Sequence, residues 1–223
     1  MIPISDNKPA ARFPIMVILL IIVNVVVFWR EMTSFRPVIE ELFESYGMIP
    51  ARDFAAGLNP EPFITSMFLH GGLAHLVLNL WALWIFGDNI EGVMGPVRFL
   101  LFYLACGFAG SLAHAYFHPF SEVPVVGASG AISGVMGAYL ILFPTARIRM
   151  FTLLIFYPVF FEIPAFVFLL IWFIGQVFSG AIAFEQARST MAEPVGIAFL
   201  AHAGGFLAGI ALLPLFRKRK QRI

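Results

Sequence analysis

The stretch VVGASGAISGVMGA, Val125–Ala138, carries four glycines and two serines in a chain that is otherwise strongly apolar. The glycines are spaced by three, four and three residues, so they share one face of a helix; they are Gly127, Gly130, Gly134 and Gly137. Such a stripe allows two membrane helices to pack closely. Ser129 lies beside it at the expected start of the helix, where free N–H groups and the helix dipole stabilise a developing oxyanion. The pattern therefore predicts close packing and leaves open whether Ser129 also reacts.

The composition is that of a membrane protein. Of the 223 residues, 60% are hydrophobic and only 12% are charged, whereas soluble domains carry about 25% charged residues. So little charge cannot cover a globule in water, and most of the outer surface is expected to face lipid. No basic patch alternates with aromatic residues, so nucleic acid is not an expected partner. The single cysteine, Cys106, excludes a disulfide within the chain and is interpreted as a small core residue.

Hydropathy predicts six membrane spans, since a bilayer crossing needs about 20 apolar residues. They are Phe13–Trp29, Leu73–Phe86, Val97–Phe117, Ser129–Phe143, Ile163–Ile182 and Val195–Phe216. The second and fourth are short, which is tolerated where the backbone is buried in protein or lines a wet cavity. No clear cleavage site follows the first span, so it is interpreted as a helix rather than a signal peptide. The predicted fold class is an all-α polytopic membrane protein, with residues 1–223 in one domain.

Two connecting segments stand out. Residues 30–69 form a long loop rich in charge, proline and aromatic residues, in which short interfacial helices are expected. The segment Phe151–Phe161 is apolar but is followed by Glu162 and Pro164. It is interpreted as a re-entrant or interfacial piece, with a seventh span as the alternative.

The basic residues predict the orientation in the membrane. The tail, residues 217–223, is strongly basic and is expected in the cytoplasm, and with six spans the short lead, residues 1–12, lies on the same side. Ten of the 14 basic residues then lie inside, and nine of the 13 acidic residues fall in the outer loops. Seven spans would separate the two termini. Both termini are therefore expected in the cytoplasm. The expected location is the inner membrane of a bacterium.

Polar side chains at membrane depth are costly and mark candidate sites. His75 and Asn79 are four residues apart and share a helix face. This spacing suits two donors aimed at one point, but by itself it favours two polar residues bonded to neighbouring backbone. His202 in the sixth span shares a face with Gly205 and Gly209.

Glycines on the fourth and sixth spans would let these two helices approach closely. A close crossing could bring His202 within about 3 Å of Ser129, as a general base requires. The alternatives for this histidine are a structural hydrogen bond or a place in a proton path.

Taken together, these motifs resemble the rhomboid family of intramembrane serine proteases. The similarity runs from Phe63 to Leu212 and is carried by SMFLHGGLAHLVLN, FGDNIEGVMG, GASGAISGVMGAY and AHAGGFLAG, in that order. The resemblance implies a bundle of six helices with a long extracytoplasmic loop between the first two. It also implies a serine endopeptidase without metal or cofactor, which cleaves transmembrane proteins near the extracytoplasmic face and works in contact with lipid.

The resemblance implies a role for each matching residue. Ser129 is the nucleophile and His202 its general base, while His75 and Asn79 help the Ser129 backbone N–H to bind the oxyanion. The other positions are structural. Gly127 precedes the active-site turn, and Gly205 and Gly209 lie where the sixth span packs on Gly130 and Gly134 of the fourth. Glu91 lies near the end of the second span, and His70 holds the preceding loop. No acidic residue lies in mid-span near His202, so a dyad is expected rather than a triad.

Two positions depart from the family pattern. Many relatives carry Trp-Arg where this sequence has Glu61-Pro62, which affects how the first loop packs and meets lipid. At Ser133 relatives often place an aromatic ring against the catalytic histidine. Here we expect His202 to be less firmly held, or held by another ring.

Three other functions compete with a protease. A catalytically silent relative would bind membrane proteins without cleaving them, although retention of both dyad residues argues against it. A transporter or proton channel is disfavoured because no inverted repeat is evident. A zinc metalloprotease is disfavoured because no His-Glu-x-x-His occurs. The substrate and the oligomeric state are not determined by the sequence.

Overall fold

The computed structural model describes residues 2–190 and 198–217. Eight α-helices and three strands are described, with a π-helical turn at Ala51–Ala55 and a 3₁₀ turn at Ser66–Phe68. The helices are α1 (Ile15–Thr33), α2 (Arg36–Tyr46), α3 (Glu61–Thr65), α4 (Leu73–Met94), α5 (Pro96–Phe117), α6 (Ser129–Leu142), α7 (Ala165–Thr190) and α8 (Phe199–Phe216). The strands are β1 (Ile2–Asp6), β2 (Arg147–Leu154) and β3 (Tyr157–Pro164).

Within the described residues, five helices are long and apolar enough to cross a membrane: α1, α4, α5, α7 and α8. The sixth apolar helix, α6, has only 14 residues, in agreement with the predicted short fourth span. Every residue from Gly130 to Tyr139 is buried, so α6 is surrounded by protein and does not need the length of a lipid-facing helix. The predicted helical membrane bundle is thus confirmed. The predicted start of the sixth span at Val195 and the tail residues 218–223 lie outside the described part.

The second span is longer than predicted, because α4 continues from Phe86 to Met94. The polar residues after Phe86 end the run of high hydropathy, but Asn89 and Glu91 are buried and bonded to other elements. The Asn89 amide donates to the Asp6 carboxylate at 3.2 Å, and Glu91 accepts two backbone hydrogen bonds from the start of α1. These tertiary partners remove the cost of burying polar groups, so the helix does not end where the hydropathy falls.

The long first loop contains the short helices that the sequence predicted. Asp53 is fully buried, pairs with Arg52 at 2.7 Å and accepts the Ile49 N–H at 2.8 Å. Met48 and Val125 exchange backbone hydrogen bonds, which ties this loop to the segment before α6. Glu61 and Pro62, which replace the Trp-Arg of many relatives, are the first two residues of α3. The loop is therefore packed against the segment that carries Ser129.

A three-stranded antiparallel sheet is the feature that sequence reasoning did not anticipate. The order is β1-β2-β3, with Ile2 opposite Phe151 and Phe151 opposite Phe160. The segment interpreted as re-entrant or interfacial is this β2–β3 hairpin, so it does not form a seventh helical span. Aromatic and β-branched residues fit a pleated strand better than a helix.

The sheet lies at the end of α6 opposite to Ser129, since β2 follows the carboxyl end of that helix. Strand β1 is held there by side chains of the bundle. The Asp6 carboxylate accepts hydrogen bonds from the Tyr139 hydroxyl and the Asn89 amide, and Trp81 Nε1 donates to the Pro3 carbonyl oxygen at 2.6 Å. Burial raises the pKa of Asp6 above its ordinary value, although the Tyr139 hydrogen bond acts in the opposite direction. Within the described residues, Ile2–Asp6 of the predicted lead thus form a strand of the fold.

The core lies where α5, α6 and α8 pack together, with α8 against both of the others. By contrast, α7 lies at the periphery. Only 17% of its membrane window is buried, compared with 44% for α4. Its contacts are mainly with α8.

Candidate active site

Ser129 and His202 meet at one end of the bundle. Ser129 is the first residue of α6 and His202 lies in the first turn of α8. The Ser129 Oγ is 2.7 Å from His202 Nε2, which is the hydrogen-bond contact that a nucleophile and its general base need. The first N–H groups of a helix have no acceptor within that helix. The backbone N–H of Ser129 is one of these.

Glycines permit the close crossing of α6 and α8. A Cβ atom on Gly205 would overlap the Gly130 carbonyl group, and a Cβ on Gly209 would lie 2.6 Å from the carbonyl carbon of Gly134. The backbones of the two helices are therefore in direct contact, as the glycine spacing predicts. Cys106 is buried in this core, with its side chain against Gly134.

His75 and Asn79 lie next to the turn that precedes Ser129. Gly127 in this turn has φ +123°, a conformation that favours glycine. A Cβ there would lie 2.7 Å from His75 Nε2 and 3.7 Å from Asn79 Nδ2, so both side chains of α4 reach this backbone. Asn79 is buried, and among the described residues nothing accepts a hydrogen bond from its Nδ2. A buried N–H donor without an acceptor is costly in itself, and this one lies beside Gly127, two residues before Ser129.

His202 is held by two side chains of α7. Its Nδ1 is 2.7 Å from Gln176 Oε1, and the Trp172 ring stacks beside it with centroids 6.0 Å apart at 30°. The Ser133 hydroxyl donates to the Ser129 carbonyl oxygen at 2.6 Å, and the described partners of the His202 ring nitrogens are Gln176 and Ser129. The ring beside His202 is therefore Trp172, from another helix than the one that carries position 133.

Gln176 is the residue of this site that sequence reasoning missed. The signal was present, because Gln176 is the only amide or charged side chain between Ala165 and Phe184. An amide in such an apolar run needs a partner. The sequence alone does not show that this partner is His202.

Two of the predicted structural residues, Glu91 and His70, make their contacts with other parts of the fold. Glu91 is 4% exposed and accepts hydrogen bonds from the N–H groups of Met16 at 3.0 Å and Val17 at 2.9 Å, which holds the start of α1. His70 is buried, its backbone N–H donates to Glu31 Oε1 at 3.2 Å, and its ring meets His75 edge-on with centroids 5.2 Å apart. Burial, and secondly the neighbouring His75, lower the pKa of His70 to about 4. The structure thus brings His70 beside His75 rather than beside Ser129.

A small pocket that is partly open to the surface lies next to Ser129. Its lining is made largely of small residues, among them Ser66, Gly107, Ser111, Gly127, Ala131 and Ala201. Ser129 therefore lines a space with room for about one water molecule.

The chain matches the model of the rhomboid domain over residues 60–219, which include both Ser129 and His202. It is 49% identical over 77 residues to the rhomboid protease GluP of Bacillus subtilis (strain 168), covering 34% of this chain and 15% of that protein. It is 38% identical over 115 residues to the mitochondrial RHOMBOID-like protein 6 of Arabidopsis thaliana, covering 48% and 37%.

A longer match, of 160 residues at 29% identity, is to the human mitochondrial presenilin-associated rhomboid-like protein, and it covers 67% of this chain and 36% of the relative. The matches thus span less than two fifths of each of these relatives. The apolar helices make this chain an integral, multi-pass membrane protein. Because the rhomboid domain covers more than half of its length, the chain belongs to the rhomboid family.

Proposed function

We propose that this protein is an intramembrane serine endopeptidase that cleaves transmembrane proteins by a Ser–His mechanism. The observation that carries the proposal is the 2.7 Å contact between Ser129 Oγ and His202 Nε2 at the start of a buried helix. A protease relative supports it, since GluP is named a rhomboid protease. The substrate class and the roles of the individual residues are part of the proposal.

In the proposed reaction, the Ser129 hydroxyl gives its proton to His202 Nε2 as its oxygen attacks a peptide carbonyl carbon. The negative charge on the carbonyl oxygen is stabilised by the Ser129 N–H and by Asn79 Nδ2 and His75. The protonated His202 then gives its proton to the leaving amine, and an acyl-enzyme remains on Ser129. Water, deprotonated by His202, attacks this ester and releases the carboxylic acid product together with the free serine.

The proposed membrane orientation places the site at the outer face. Ser129 and the sheet lie at opposite ends of α6, and the sheet carries Arg147 and Arg149. We propose that the sheet end is cytoplasmic, with both termini on that side and the protein in a bacterial cytoplasmic membrane. Residues 1–223 then act as one membrane domain, and the substrate enters from the lipid. Water reaches the acyl-enzyme from the outside.

The decisive experiment uses purified protein in lipid vesicles with a panel of single-span proteins. We expect cleavage products in mass spectra for the wild type and none for Ser129→Ala. A fluorophosphonate probe should label the wild type at Ser129. The Ser133→Ala variant, which removes a hydroxyl one turn further along the same helix, should still be labelled.

Cleavage of the panel by Ser129→Ala at the wild-type rate would contradict the mechanism. A folded wild-type protein that neither reacts with the probe nor cleaves any substrate would contradict the enzyme assignment. That outcome would favour a silent relative that binds membrane proteins.

A further inference from the structure

Helix α7 presents two side chains to the same histidine. Trp172 and Gln176 are four residues apart, so they lie on one face of the helix. Gln176 Oε1 is 2.7 Å from His202 Nδ1, and the Trp172 ring stacks against the imidazole. This face is held on α8 by further ring contacts, since Phe173 stacks on the buried Phe206 with centroids 4.7 Å apart.

The contact to Nδ1 decides which nitrogen of His202 acts as a base. A neutral imidazole has one N–H donor and one acceptor nitrogen. An amide oxygen accepts a hydrogen bond but cannot donate one, so Gln176 Oε1 stabilises the tautomer with the proton on Nδ1. The lone pair is then on Nε2, which faces the Ser129 hydroxyl at 2.7 Å. In the other tautomer, Nε2 would carry a proton and could not accept one from Ser129.

The ring contact restricts the imidazole in a second way. Rotation of the His202 side chain would carry Nε2 away from Ser129, and the Trp172 ring lies along one face of the imidazole. Position 133 offers no such contact, because the Ser133 hydroxyl is bonded to the Ser129 carbonyl oxygen. Both restraints on His202 therefore come from α7.

We infer that Trp172 and Gln176 are positioning residues that hold His202 in the tautomer and orientation of a general base. The neutral amide of Gln176 has the role that the carboxylate has in a Ser–His–Asp triad, because it accepts the hydrogen bond from the histidine Nδ1. Neither residue touches the scissile bond, and both act through His202. The inference rests on the proposed serine-protease function.

The test compares Gln176→Leu with Gln176→Glu in vesicles, with rates divided by the number of sites that a fluorophosphonate titrates. Gln176→Leu removes the acceptor at nearly constant volume, and we expect kcat to fall about 10- to 100-fold while KM changes less than about twofold, as for loss of one buried hydrogen bond. Gln176→Glu keeps an acceptor oxygen and should recover most of this loss. Val177→Leu, at an exposed position of the same helix, is the matched control and should keep the wild-type kcat.

A spectroscopic measurement separates positioning from a merely structural role. In protein labelled with ¹⁵N-histidine, the His202 signal is assigned by its disappearance in His202→Gln. We expect the Nδ1–H tautomer in the wild type and a larger share of the Nε2–H tautomer in Gln176→Leu. Trp172→Leu should lower kcat several-fold and Trp172→Phe should recover it.

Wild-type kcat together with a wild-type tautomer in Gln176→Leu would overturn the inference while the proposed function stands. A loss of thermal stability with unchanged kcat per titrated site would overturn it as well. If the wild type itself cleaves nothing, the proposed function fails. The tautomer measurement then still decides whether Gln176 sets the protonation of His202.

Discussion

Replacement of Gly205 by alanine tests whether the close crossing of α6 and α8 is what lets Ser129 and His202 meet. Gly205 lies three residues after His202, and it faces Gly130, which directly follows Ser129. A Cβ on Gly205 would lie 2.9 Å from the Gly130 carbonyl carbon and 3.3 Å from its Cα. Carbon atoms in contact are about 3.5–4.0 Å apart. The obstructing atoms belong to a helix backbone, so they cannot rotate away as a side chain can.

The two helices must therefore separate by at least about 0.6 Å at this point, and the Gly130 carbonyl oxygen, which lies nearer still to the added Cβ, requires more. The Ser129 Oγ is 2.7 Å from His202 Nε2. The same displacement would lengthen this contact to about 3.3 Å, beyond the roughly 2.6–3.2 Å that proton transfer to a general base requires. Because a misplacement of about 1 Å at a reacting centre costs on the order of 10²-fold, we expect kcat/KM to fall about 10- to 100-fold in Gly205→Ala.

The assay is the initial rate of cleavage of a fluorogenic transmembrane peptide by protein in vesicles. Gly175→Ala is the matched control, because it is the same substitution in a membrane helix and its Cβ would have no neighbour within 4 Å. Thermal unfolding in detergent shows whether each variant is folded. A folded Gly205→Ala protein with the rate of Gly175→Ala would refute the argument that backbone contact sets the distance between Ser129 and His202.

Three further predictions concern single side chains. Asn79→Ala removes the unpartnered donor beside the turn before Ser129 and should lower turnover on the order of 10²–10³-fold with little change in thermal stability. An unchanged turnover would exclude Asn79 from the oxyanion hole. Glu91→Gln replaces an acceptor of two backbone N–H groups and should lower the free energy of unfolding by about 2–3 kcal/mol, whereas Glu162→Gln at an exposed position should have no effect. His70 has its pKa lowered to about 4 by burial, so the unfolded chain binds a proton between about pH 6.5 and 4 that the folded protein does not. The free energy of unfolding therefore decreases as the pH falls. His70→Asn should reduce the slope of the free energy of unfolding against pH by up to about 1.4 kcal/mol per pH unit, measured at pH 7, 6 and 5. An unchanged slope would contradict the burial of a neutral His70.

Local pattern was sufficient for the existence of the membrane helices and for the faces of α4, α6 and α8 that carry small or polar residues. Long apolar runs predict membrane helices because a segment in lipid must satisfy its backbone hydrogen bonds internally. The spacing of Gly130 and Gly134 predicts a surface for close packing because residues three and four apart share a helix face. The same rule pairs His75 with Asn79. These properties depend on neighbours within one element, so they can be deduced from the order of the residues.

Contacts between segments that are distant in sequence determined the sheet and the end of α4. Strand β1 pairs with β2 across about 140 residues of sequence, with Asp6 opposite Ile148, and no local pattern specifies such a pairing. The end of α4 was misjudged because hydropathy treats Asn89 and Glu91 as exposed polar groups. In the structure both are buried, and their side chains form hydrogen bonds with residues of β1 and α1.

In the site, too, the sequence predicts some residues and only the packing of the helices brings the others together. Ser129 and His202 could be named from their motifs, but the 2.7 Å between them depends on how far two backbones approach. Gln176 lies 26 residues before His202 in the chain, and only the packing of α7 on α8 brings its amide oxygen to Nδ1. A sequence determines which faces are apolar, small or polar. Which faces meet, and at what distance, follows from the packing of the whole bundle, because each contact depends on all the helices around it.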